Sequence, residues 1–193
     1  DTRAGRKACY LKGLCGAFEL TQRGCADFAF IGGAQIDMYG NICSTIEGHN
    51  YDKPGIRFPG SGGAGAMAAN CEKTISIMAL EKRRFVKKLD FVTSIGFGDG
   101  SADYRETAGV MGSGPYRVIT NQALFGFDEA TRRMKLLEVK PGRTPAEIQD
   151  LVDFELIIPS DVKEMVEPTD EDLRLLRDVI DAEGYFLKRV IKK

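Results

Sequence analysis

Between residues 57 and 70 the chain reads RFPGSGGAGAMAAN, with four glycines in the six positions from 60 to 65 and mostly small side chains beyond them. Glycine loses more conformational freedom on ordering than any other residue, so this stretch cannot be the middle of a strand or of a long helix. It has to be a turn, and the runs around it say what it joins. ADFAFIGG (26–33) is a short apolar run closed by two glycines, the pattern of a buried strand, and ICSTI (42–46) reads as a second strand. After the glycines, Ala64 to Cys71 suits a short helix of small residues, and TISIMAL (74–80) is β-branched enough for a third buried strand. Strand, turn, helix and strand predict an α/β arrangement, a sheet with helices packed on it.

The second half has a different texture. YRVITNQALFGFDEATRRMKLLEVKPG (116–142) carries three apolar runs broken by NQ and DEATR, which predicts an antiparallel meander. Thr144, Pro145 and Glu147 form a capping box with proline at the first helical position, and Thr169 with Asp172 starts another helix, DEDLRLLRDVI. Leu173, Leu176 and Ile180 share one face of that helix, beside Leu175 and Val179, which predicts packing against the body. Near the start, Lys7 to Arg23 reads as helical. The Gly-rich connection GFGDGSADYRETAGVMGSGP (96–115) reads as a candidate lid or partner-binding loop.

Composition excludes several function classes. The 27 basic and 28 acidic residues leave a net charge of −1, so no strong overall field points to nucleic acid or a membrane surface. No apolar stretch is long enough to span a bilayer and no signal peptide is evident, which predicts a soluble, cytoplasmic protein of one domain over residues 1–193. Cys9, Cys15, Cys25, Cys43 and Cys71 are odd in number and form no CxxC pair, so they read as reduced thiols. With His49 as the single histidine, the usual zinc arrangements cannot be assembled, and that residue reads as a surface or locally bonded group. The chain starts at Asp1 without methionine, which reads as a start that is cut or processed.

Gly60, Gly62 and Gly65 satisfy GxGxxG, but Pro54 and Pro59 bracket the place where a dinucleotide fold needs a central strand, and no Gly-Lys-Ser/Thr follows for a Walker A loop. Two readings remain. Either the backbone N–H groups of the turn converge on an oxygen bearing negative charge, helped by the N-terminus of the helix from Ala64, or the glycines merely permit a tight crossing of strand and helix.

FAFIGGAQIDMYGNICST, RFPGSGGAGAMA and EKRRFVKKLDFVTS, followed by FGFDEATRRM and PGRTPAEIQDLVDFEL, resemble in order and spacing the β subunits of class I CoA-transferases of the glutaconate type. The resemblance covers nearly all of the chain from Cys25 onward. It implies a mainly parallel α/β sheet, an obligatory α subunit, and a site between the two. It further implies transfer of CoA from an acyl-CoA to a small (di)carboxylic acid through a glutamyl-CoA thioester, with coenzyme A as substrate and no permanently bound cofactor. By position, Gly60, Ser61, Gly62, Gly63 and Ala64 match the family's glycine loop, and Gln35 matches a motif residue on the adjoining strand end.

One departure stands out. The family's nucleophilic glutamate lies in a Glu-Ser-Gly type turn upstream of FAFIGGAQID, and no such turn occurs between Asp1 and Cys25; Glu19 sits mid-helix, and Glu47 in TIEGHN reads as a loop residue followed by glycine, at a place where the family has an unremarkable connection. The chain therefore reads as lacking the family's N-terminal segment. Relatives without the glutamate resemble ring-opening CoA-ester hydrolases, which supplies an alternative function, and a non-catalytic partner subunit supplies another. Lys82, Arg83, Arg84, Lys87 and Lys88 read as a solvated face or subunit contact, with the phosphates of CoA as the functional option. Asp37 and Asn41 read as turn-stabilising side chains, and Tyr39 between them is undecided.

Overall fold

The computed structural model describes Gly5, residues 8–48 and residues 50–184. His49 and the start of the expected Lys7–Arg23 helix lie outside the described residues. Helix α1 spans Leu14–Gln22, shorter than expected, because Gly13 opens it with no side-chain cap and the residues before it are irregular. Strands β1 (Phe28–Ile31), β2 (Gln35–Ile36), β3 (Ile42–Cys43), β4 (Ile46–Glu47) and β5 (Ile56–Arg57) follow. Helix α2 (Ala64–Asn70) leads into β6 (Lys73–Ile77), and a single helical turn α3 (Tyr104–Thr107) precedes β7 (Gly114–Ile119), β8 (Ala123–Phe127) and β9 (Met134–Val139). Helix α4 (Pro145–Asp150), β10 (Lys163–Glu164) and α5 (Asp170–Arg174) complete the order, and α5 continues as a π-helical turn over Leu175–Ile180.

The main sheet has six strands in the order β1-β6-β7-β8-β9-β10. β1 pairs parallel with β6, β6 with β7, and β9 with β10, whereas β7, β8 and β9 form the expected antiparallel meander. The crossover from β1 to β6 carries α2 and two small hairpins, β2 with β3 and β4 with β5, so the ICSTI run is split between two short strands rather than forming one.

The core lies on one side of this sheet. Ile31, Val118, Phe125, Met134 and Leu136 point into it and meet Ile36, Phe85, Ala68 and Ile148 from the overlying segments. Alternate residues face the other way, so β1 is half-buried where a fully buried strand is expected: Phe28 is 50% and Phe30 67% exposed. Ile77, Tyr116 and Ile119 continue that open face across β6 and β7.

Both capping boxes form. Thr144 accepts from the Glu147 N–H while the Glu147 carboxylate accepts from the Thr144 N–H, and Thr169 with Asp172 does the same. These donated bonds hold the Glu147 carboxyl below its ordinary value, chiefly through the Thr144 N–H, and that of Asp172 chiefly through the Thr169 hydroxyl. A depressed carboxyl contributes stability that is complete above the ordinary carboxylate range and fades as pH falls through the folded value. Protection of the Thr144 and Thr169 amides from exchange, taken relative to their intrinsic rates, should therefore fall on acidification below that range; unchanged protection across it contradicts the capping role.

The expected docking of the last helix does not occur among the described residues. Leu175, Leu176 and Val179 are exposed and Ile180 is 74% exposed. Periodicity shows which face of a helix is apolar, not whether anything lies against it. The 96–115 connection also departs from the lid reading, because it is tied down. The Arg105 guanidinium donates to the carbonyls of Gly96 at 3.0 Å, Ala68 at 3.1 Å and Met111 at 2.6 Å, and Ser113 N–H donates to the Glu72 carbonyl.

Candidate active-site loop

The site is assembled where β1, β3 and the glycine turn meet. Leaving β1, the chain turns at Gly32–Gly33 so closely over β3 that a Cβ on Gly33 would stand 2.2 Å from the Ile42 side chain. This places Gln35 opposite Cys43. Gln35 is 8% exposed and its amide oxygen has no partner among the described residues. A buried acceptor left unpaired costs about 1–3 kcal/mol, so it is a site where a ligand or water can be bound to advantage.

Past Cys43 the chain becomes the support for the glycine turn. Gly60 N–H donates to the Ser44 carbonyl at 2.8 Å, and Phe58 N–H to the Thr45 carbonyl at 2.9 Å. On their other side Ser44 and Thr45 are held by Thr93, whose hydroxyl accepts from the Ser44 N–H at 2.8 Å and bonds the Thr45 hydroxyl at 2.7 Å. Gly60 and Gly62 adopt φ of 99° and 50°, in the left-handed range that glycine enters without strain. A Cβ at Gly63 would come within 2.9 Å of the Phe18 ring, so α1 closes over the far side of the loop.

The five loop residues are not equivalent. The N–H of Gly60 is spent on Ser44, and that of Ala64 donates to the Ser61 carbonyl at 2.9 Å. The N–H groups of Ser61, Gly62 and Gly63 have no acceptor among the described residues. Three consecutive donors without a protein acceptor on a partly exposed turn are available to an anionic ligand. α2 has only seven residues, so its dipole adds little and the loop donors themselves carry the electrostatics.

Beside Gly65 and Thr93 opens a cavity of about 510 Å³ walled by Val92, Ile95, Tyr104 and Val110. Asn41 reaches its edge but is fully engaged elsewhere. Its amide oxygen accepts from Gly96 N–H at 2.8 Å and Gly98 N–H at 3.1 Å, and its NH₂ donates to the Asp37 carboxylate at 2.8 Å and the Gly98 carbonyl at 2.7 Å. Asp37 in turn accepts from the N–H groups of Tyr39 and Asn41, so this pair braces a turn as expected.

The remaining candidates lie apart from the loop donors. Glu47 stands in β4 opposite Ile56 rather than in an open loop, and Glu19 pairs with Lys12 on α1 at 3.6 Å. Arg83 and Arg84 both engage Glu81, as a solvated face would. Lys82 and Lys87 line a separate cleft of about 740 Å³ with Tyr39 and Arg133. The strand before the glycines, β5, is a two-residue exposed strand antiparallel to β4, so the dinucleotide arrangement is absent. Sequence reasoning passed over Thr93, Thr45 and Ser44; the only available signal was the hydroxyl-rich pairing of CST with VTS.

A mixed sheet of this strand order, with a glycine turn between β5 and α2, has counterparts among known proteins. The coenzyme A transferase model matches residues 7–151, and the chain belongs to that family. It is 42% identical over 161 residues to the B subunit of glutaconate CoA-transferase from Acidaminococcus fermentans, covering 83% of this chain and 59% of that protein. The crystal structure of that enzyme superposes with a TM-score of 0.82 at 38% identity, covering 93% of this chain and 70% of the matched one. The chain is 35% identical to the B subunit of 3-oxoadipate CoA-transferase from Pseudomonas knackmussii, over 81% of this chain and 59% of that one. It is 29% identical to the cholesterol ring-cleaving hydrolase IpdB subunit of Mycobacterium bovis, over 78% of this chain and 59% of that one. The chain thus spans 59% of the length of these curated relatives. No helix among the described residues is long and apolar enough to cross a membrane.

Proposed function

We propose that this chain forms the β-type part of a CoA-transferase that moves CoA between an acyl-CoA and a small (di)carboxylic acid, acting with an α subunit. The observation that carries the reading is the set of three unpaired N–H groups at Ser61, Gly62 and Gly63. In the covalent route a glutamate carboxylate attacks the thioester carbonyl, and negative charge develops on that carbonyl oxygen as the carbon becomes tetrahedral. Collapse expels CoA thiolate and leaves a mixed anhydride. The thiolate then attacks the glutamyl carbonyl, releases the first carboxylate, and forms the glutamyl-CoA thioester. The acceptor carboxylate repeats the two steps in reverse. Each step needs donors poised at a carbonyl oxygen, and removing one such donor typically costs about 10²–10³ in rate. Gln35, buried with an unpaired amide oxygen, is a candidate polar contact for the substrate. Coenzyme A is a substrate in this scheme. The attacking glutamate is assigned to none of the described carboxylates.

A second reading is favoured by the likeness to the hydrolase subunit. One assay separates the two. The complete native enzyme is incubated with a panel of acyl-CoA donors, with and without added carboxylates. Formation of a new acyl-CoA only when an acceptor is present, with little free CoA, supports transfer. Appearance of CoA or a ring-opened CoA product in water alone supports the hydrolase. Inertness toward every donor leaves the chain a non-catalytic subunit and overturns both.

A further inference from the structure

Thr93 lies within EKRRFVKKLDFVTS without any role assigned to it there, yet both ends of the loop are referred to it. Its hydroxyl accepts from the Ser44 N–H and bonds the Thr45 hydroxyl. The carbonyls of those same two residues receive the N–H groups of Gly60 and Phe58, at the entrance to the loop. At the exit, the Thr93 carbonyl lies 3.2 Å from where a Cβ on Gly65 would be, so the start of α2 rests directly on its backbone. Thr93 is itself fixed by its N–H bond to the Ile42 carbonyl at 2.8 Å, on a strand that belongs to the core.

We propose that Thr93 is a positioning residue: its hydroxyl sets the attitude of the Ser44–Thr45 backbone and thereby aims the free N–H groups of Ser61, Gly62 and Gly63. This rests on the reading of those groups as donors to a reacting carbonyl. Displacements of about 1 Å in such a constellation cost on the order of 10²-fold in rate, so a hydroxyl one hydrogen bond removed can govern turnover without touching substrate. A uniform loss of affinity is not expected, because the loop is aimed at charge that develops only as the carbonyl is attacked.

The test compares Thr93→Val, which keeps the branched shape and removes the hydroxyl, with Thr93→Ser, which keeps the hydroxyl, both in the complete enzyme. Thr93→Val is expected to lower kcat by about 10-fold to 100-fold with KM for the donor nearly unchanged, and Thr93→Ser to restore most of it. Amide exchange at Phe58 and Gly60 should quicken in Thr93→Val alone. That second readout does not need activity, so if the wild-type enzyme transfers no CoA the functional reading fails while the coupling is still decided. Unaltered exchange at Phe58 and Gly60 in folded Thr93→Val, or equal loss of kcat in both variants, overturns the proposal. Should Thr93→Val not fold, Thr45→Val serves in its place: it leaves the Ser44 N–H its acceptor and is expected to lower kcat only a few-fold. A loss with Thr45→Val that falls on KM instead of kcat overturns the proposal.

Discussion

Replacing Gly62 with valine is expected to lower CoA transfer by about 10²-fold or more while the protein stays folded. A Cβ at Gly62 would meet nothing within 4 Å, so the substitution introduces no clash. Its effect is confined to the backbone, where φ of 50° lies in the left-handed region that β-branched residues avoid. Leaving that region costs the loop little free energy, but it reorients the N–H groups on either side of Gly62 relative to one another. Asparagine tolerates the left-handed conformation, so Gly62→Asn should retain substantially more activity than Gly62→Val. Measured kcat and thermal midpoints for both variants decide the matter: undiminished turnover in well-folded Gly62→Val removes the loop from the chemistry.

The largest loss of stability is expected at Asn41. This side chain is 3% exposed and satisfies two N–H groups, one carbonyl and one carboxylate at once. Alanine would leave these groups facing each other across a gap, and at about 1–3 kcal/mol for each buried group left unpaired the cost reaches at least about 3 kcal/mol after partial hydration. For a chain of this size that is a fall in Tm of roughly 6–12 °C. The loss should also depend on pH. Burial pushes the Asp37 carboxyl above its ordinary value and the Asn41 amide pulls it back. Without the amide the folded value rises further. A raised carboxyl gives stability that is complete below its unfolded value and disappears as pH climbs through the folded one. The deficit of Asn41→Ala should therefore be greater at neutral than at acid pH, and a loss below about 1 kcal/mol at neutral pH would show that the brace is redundant.

What could be read from the sequence follows the range over which each signal acts. The two capping boxes were legible because Thr144 and Glu147, or Thr169 and Asp172, lie three residues apart and bond each other. The meander was legible because β7, β8 and β9 are joined by short polar breaks. The glycine loop was legible as a turn from composition alone, and its proposed link to CoA chemistry came from the family resemblance. Which N–H groups of that turn remain free was not legible, since the partner that consumes the Gly60 donor is Ser44, on a different strand exit. Thr93 lay further from view, because its bonds reach back 48 and 49 residues to segments with no shared pattern. The lid reading of 96–115 failed for the same reason: Arg105 looks like an ordinary surface arginine until Ala68 and Gly96 offer it their carbonyls. In β1 the alternation that leaves Phe28 and Phe30 exposed cannot be seen in FAFI, where every residue is apolar.

The parallel pairing of β1 with β6, set against the hairpin-linked β7–β9, also fixes the order in which the chain's entropy is spent. Phe28 finds Lys73 across the sheet, whereas Val118 finds Phe125 only seven residues away. Closing the long segment costs more than closing the short one and is repaid only once the sheet edge is there to receive it. Gln35, Ser44, Thr45 and the glycine loop all lie within that long segment. The meander can therefore form as a preassembled template on which the site is completed last, and the site is the first region that a partial opening of the sheet edge would release.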